Sequence, residues 1–159
     1  MFSLILATIA CGIGATALLD LWAILLNKTA GLALPRWAMV GRWFGHLPSG
    51  KFFHDDIAGA EPVPNELALG WTMHYAIGIL FAAILVAIAG PGWLRAPAFI
   101  PAWILGIATV GCGWFILQPG MGAGWAATKR PDAMKIRILN LAGHTVFAIG
   151  LYGTALLLK

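Results

Sequence analysis

The sequence predicts an all-α integral membrane protein, a four-helix bundle with an amphipathic interfacial helix in its first cytoplasmic loop. Three observations predict it. Four apolar runs are each long enough to cross a bilayer, which takes roughly 20 residues at about 1.5 Å of rise per residue. Charged residues make up only 10% of the chain and hydrophobic ones 60%, whereas a soluble domain uses about 25% charged residues to keep its surface wet. Basic residues also gather in alternate loops, as they do in polytopic proteins. A single transmembrane domain over residues 1–159 accounts for all of this.

The first span, residues 2–26, is broken only by small residues, by Thr8 and Thr16, and by Asp20. It exceeds the apolar core of a signal peptide and lacks a basic segment before it. Thr8, Gly12, Thr16 and Asp20 recur every four residues, a ridge of small and polar groups through which a neighbouring helix approaches closely. In the loop that follows, Pro35 to Leu47 places Trp37, Val40, Phe44 and Leu47 at helical spacing, with Arg42 and His46 on another face. That pattern predicts a helix lying in the membrane interface. Glu61-Pro62-Val63-Pro64-Asn65-Glu66 leads into the second span, with Asn65 expected as N-cap and Glu66 facing the helix dipole.

The second and third spans, residues 67–89 and 98–117, are closed by Gly90-Pro91-Gly92 and by Gln118-Pro119-Gly120. Pro119 is expected to halt the third helix. Gly120 to Gly124 lacks the strand and lysine of a phosphate loop and reads as a flexible turn. The fourth span covers residues 138–158. Eight of the ten basic residues lie between spans one and two or between spans three and four. Those loops are therefore expected in the cytoplasm, with both termini outside. The net charge of +4 then answers lipid headgroups, and no nucleic acid is expected. The lipid bilayer and a homo-oligomer are the expected partners.

Function is expected where polar groups enter hydrocarbon. Asp20 lies six residues in from Leu26, His74 seven in from Leu67 and His144 six in from Ile138. In an up-down bundle each lies about 10 Å below the cytoplasmic boundary. Gln118 is shallower on the same side. A divalent metal would draw ligands from Asp20, His74, His144, His54 and Asp55. A haem would instead take His74 and His144, with Asp20 and Gln118 as neighbours. A proton or substrate path in a small oligomeric transporter is a third alternative. Against these stands a non-enzymatic scaffold or accessory subunit, in which the same groups, with Arg42 among Asp20's partners, only fix helix register. His54 and Asp55 are expected to act as a lid.

Several chemistries lack their motifs. No GxSxG, HExxH, GxxxxGK[ST] or CxxCH pattern occurs. Cys11 and Cys112 fall in apolar runs as small hydrophobes. Gly12-Ile13-Gly14-Ala15-Thr16 through Asp20-Leu21-Trp22, Gly41-Arg42-Trp43-Phe44-Gly45-His46, His54-Asp55-Asp56-Ile57-Ala58, His74-Tyr75-Ala76-Ile77-Gly78, Gln118-Pro119 and Gly143-His144 span nearly the whole chain. As a set they resemble an uncharacterised family of small bacterial four-span inner-membrane proteins. The resemblance implies the four-span fold and no particular activity.

Overall fold

Helix α1, Phe2–Ala30, outlasts its apolar run by four residues. Thr29 Oγ1 bonds back to the Leu25 carbonyl at 2.7 Å, and the Asn27 amide holds the Leu32 carbonyl at 2.7 Å. Gly31, at φ +64°, then ends the helix in the left-handed conformation that a glycine adopts without steric penalty. This computed structural model describes residues 2–159, with side chains from Leu4 onward.

Helix α2, Trp37–His46, is shorter than the sequence suggests, because Leu47–Ser49 tightens into a single 3-10 turn around Pro48. Next come α3, Glu66–Ala89, and the short α4, Gly92–Arg95. Helix α5 runs over Phe99–Gly120 without stopping at Pro119. Proline cannot donate to the carbonyl four residues back, and its ring crowds that carbonyl. The chain absorbs this by widening to a π-turn over Gly113–Leu117, with the Gln118 N–H reaching the Gly113 carbonyl. Helix α6, Ala133–Leu157, begins five residues before Ile138, its first turn closed by the Ile136 N–H on the Asp132 carbonyl at 3.0 Å. Among the described residues there is no strand, and four helices, α1, α3, α5 and α6, are long and apolar enough to cross a membrane.

The chain forms two compact units. The first comprises the chain up to Leu34, Tyr75–Thr109 and Leu141–Lys159. Small residues bring its helices together, as the ridge on α1 predicts. Gly12 lies against the backbone of Ile79, and Gly78 against the Thr16 hydroxyl. Gly150 lies on Ala15, and Gly106 on the His144 carbonyl. A side chain at any of these would force the backbones apart, and close backbone approach is how helices gain packing in lipid. Cys11, Ala15, Ala82, Leu85, Phe147 and Leu151 form the buried core. Leu80, Ile88, Ile104 and Ile149 stay exposed, the inside-out profile of helices solvated by lipid.

The second unit comprises Pro35–His74 and Val110–Asn140. Here α2 crosses the start of α3 on two glycines. A Cβ on Gly41 would strike the Glu66 carbonyl, and one on Gly70 would strike the Trp37 carbonyl. The strap between α2 and α3 docks on the turn after α5, with His54 N–H on the Gly120 carbonyl at 3.0 Å and Ile57 N–H on that of Met121 at 3.2 Å. The Gly120 to Gly124 segment is thus a hydrogen-bonded turn rather than a flexible one. Gly122, at φ +90°, gives the Asp55 carbonyl room.

Candidate functional site

In the first unit, Asp20 accepts a hydrogen bond from the Tyr75 hydroxyl at 2.9 Å. Tyr75 escaped sequence reasoning, although a phenol beside His74 in an apolar run was a signal, since a buried tyrosine tip seeks a partner. His144 Nδ1 lies 2.9 Å from the Gly106 carbonyl and 3.1 Å from Thr109 Oγ1, and Thr109 itself donates to Gly106 at 2.8 Å. A carbonyl only accepts, so Nδ1 carries the proton and a neutral ring keeps its lone pair on Nε2. Backbone-oriented imidazoles of this kind are able ligands.

In the second unit, His74 stacks on Trp37 at 3.9 Å between ring centroids, with Trp71 edge-on at 5.9 Å. Gln118 leaves the π-turn to donate to Asn140 Oδ1 at 2.9 Å, which also accepts from the Trp114 indole at 3.0 Å. The Gln118 Oε1 is buried without a hydrogen-bond partner among the described residues.

Arg42, expected among the partners of Asp20, pairs with Glu66 instead and is only 7% exposed. Its guanidinium grips both Glu66 carboxylate oxygens, at 2.8 and 2.9 Å, and the carbonyls of Ala58 and Ala60, at 3.0 and 2.9 Å. The bond to Glu66 raises its proton affinity above the ordinary arginine value, so it stays charged. Glu66 also accepts from the Val63 N–H at 3.3 Å, while Asn65 sits at φ +57°. Asn65 does precede the helix, its carbonyl accepting from the Leu69 N–H at 2.9 Å, but it is left-handed rather than extended, and Glu66 serves Arg42 and Val63 besides any dipole.

One turn beyond Arg42, His46 Nδ1 approaches His54 Nε2 at 2.7 Å, and His54 Nδ1 approaches the Gly120 carbonyl at 3.1 Å. Trp43 packs on Gly120 and donates to the Phe52 carbonyl at 2.9 Å, drawing the strap inward. Beside this contact opens a cavity of about 700 Å³ lined by His54, Asp55, Asp56, Lys51, Lys129 and Trp125, among others. Asp56 caps the turn Ile57–Gly59 through the Ala58 N–H at 3.0 Å. Ala126 and Ala127, next to Trp125, hold the left-handed conformation at φ +47° and +60°. Arg137 Nε supports that strained turn through the Ala126 carbonyl at 2.8 Å.

The sequence candidates are thus divided. Asp20 and His144 belong to the first unit, and His54, Asp55, His74 and Gln118 to the second. Among the described residues no three His, Cys, Asp or Glu side chains gather as a metal ion requires. His54 commits both ring nitrogens to His46 and Gly120, and Asp55 lines the neighbouring cavity. His46, Arg42, Glu66 and Lys129 join the site only through folding. Residues 9–158 match the family described as a protein of unknown function. No curated protein and no solved structure matches the chain.

Proposed function

The chain belongs to the family Protein of unknown function (DUF2938), and on that premise we propose that it is a multi-pass inner-membrane protein binding a small polar ligand at its cytoplasmic side. The observation that carries this is the cavity of about 700 Å³ in the second unit, lined by Lys51, Lys129, Asp55, Asp56 and Trp125 among others. Small-molecule sites are typically about 300–1,000 Å³ with a few placed polar groups. Charges of both signs suit a ligand with both an anionic and a donor group. The left-handed Ala126 and Ala127 add support, since backbone strain persists where a site requires it. The basic residues of these loops support a cytoplasmic side for this cavity, with both termini outside.

Thermal melting of the detergent-purified protein tests this, with phosphate, small dicarboxylates and amino acids as probes. One class should raise the melting temperature of the native chain and leave a folded Lys51→Glu/Lys129→Glu variant unmoved. Equal responses in both proteins, or none in the native chain, would reject the cavity as a site.

The fixed tautomer of His144 favours a second reading, in which Nε2 would coordinate a haem iron. Absorption spectra and elemental analysis of the native protein and His144→Ala decide it. A Soret band or stoichiometric metal lost in the variant supports coordination, and clean spectra without metal in the native protein exclude it.

A further inference from the structure

In the second unit two imidazoles and two carbonyls lie in a row. His46 Nε2 is 3.0 Å from the Glu61 carbonyl, His46 Nδ1 is 2.7 Å from His54 Nε2, and His54 Nδ1 is 3.1 Å from the Gly120 carbonyl. The ring centroids lie 4.9 Å apart with 28° between planes, so the rings meet edge to edge rather than face to face. A carbonyl oxygen can only accept, so each outer contact requires an N–H, and the contact between nitrogens requires one more. Two neutral imidazoles carry one N–H each. A neutral pair would therefore leave one of these contacts with lone pair facing lone pair at hydrogen-bonding distance. Three protons on two rings make one imidazole and one imidazolium.

We infer that His46 and His54 form a shared proton-binding site, holding one proton beyond the neutral pair, and that this proton clasps the strap to α2 and to the turn after α5. The hydrogen-bond count stands independently of any ligand in the neighbouring cavity.

Charged side chains of both signs surround the pair. Asp55, Asp56, Lys51 and Lys129 line the cavity that His54 borders. Glu61 offers its carbonyl from the strap, Glu66 at the head of α3 lies within electrostatic reach of His46, and Arg42 on α2 is occupied by Glu66. Acidic and basic side chains thus both lie near the pair. His54 is buried at 8% exposure, so the hydrogen bonds of its ring are made within the protein rather than to water.

The clasped form holds one proton more than an opened form with neutral rings. A free imidazole is mostly neutral above about pH 7. In that range the clasped-to-open ratio should fall about tenfold per pH unit, because stability falls with pH wherever the native form binds the extra proton. The clasp is therefore present at low pH and lost as pH rises.

Two measurements on the full-length protein test this. Histidine ¹⁵N spectra of the labelled native chain, assigned with His46→Asn and His54→Asn, should show three protonated nitrogens on the two rings near pH 7 and a coupling across the central hydrogen bond. Hydrogen exchange should show protection factors at the His54 and Ile57 amides, corrected for intrinsic rates, falling about tenfold per pH unit above about pH 7. His46→Asn should remove that slope. One proton per ring in the native spectrum, or pH-independent protection at both amides, would overturn the inference.

Discussion

Arg42 shows at the level of one residue why a basic side chain in a loop need not be a topology signal alone. Its planar fork meets the Glu66 carboxylate and the strap carbonyls of Ala58 and Ala60 together, a geometry that a lysine ammonium cannot span. Arg42→Lys should destabilise the second unit by about 1.5–3 kcal/mol, the size of a charged hydrogen bond lost without replacement. Denaturation in detergent reads the loss, and faster exchange at the Ile57 amide locates it. Tyr75→Phe should be milder, because interhelical hydrogen bonds in membranes average only about 0.6 kcal/mol. A larger loss in the same assay would mean that the phenol supports more than this bond. Ala126→Gly should stabilise by about 1 kcal/mol, since a left-handed alanine is strained by roughly that amount and glycine is not. Unchanged or lower stability would show that the Ala126 Cβ contributes packing that offsets the strain.

At the level of the element, two glycines three residues apart on α6 separate packing from propensity. A Cβ on Gly150 would press into the Ala15 backbone at 2.5 Å, while one on Gly153 meets nothing within 4 Å. Gly150→Ala should therefore lose about 1–3 kcal/mol by overpacking. Gly153→Ala should gain up to about 1 kcal/mol from helix propensity. Melting both variants in one detergent checks the pair, and equal shifts would refute the close approach of α1 and α6. The π-turn in α5 belongs to the same scale. It lets a helix pass through Gln118-Pro119-Gly120 and delivers the Gln118 amide to Asn140.

At the scale of the whole molecule, the basic loops predict an orientation that reporter fusions test. A reporter active only outside the cytoplasm should work when fused after Lys159 and fail when inserted at the Lys129-Arg130 turn, and the reverse pattern would invert the topology. The spans were legible in the sequence because lipid demands a long apolar helix wherever the chain crosses, so composition over 20 residues suffices. Their ends were less legible. Caps such as Gly31 and the turn at Asp132 act beyond the apolar run, and Pro119 was accommodated by a wider turn rather than obeyed as a stop. Of the candidate site, the sequence marked Asp20, His74, Gln118 and His144 through the cost of polar groups in hydrocarbon. It also marked His54 and Asp55 by their adjacency. What it determined by itself is an all-helical chain with four segments that can cross a membrane and a short set of polar residues that need partners. Which partner each one takes was decided only by tertiary structure. Tyr75 for Asp20, Gly106 for His144, His46 for His54 and Glu66 for Arg42 are 8 to 55 positions apart in the chain. Hydrogen bonding acts at about 3 Å, a distance that folding sets and that spacing along the sequence does not encode.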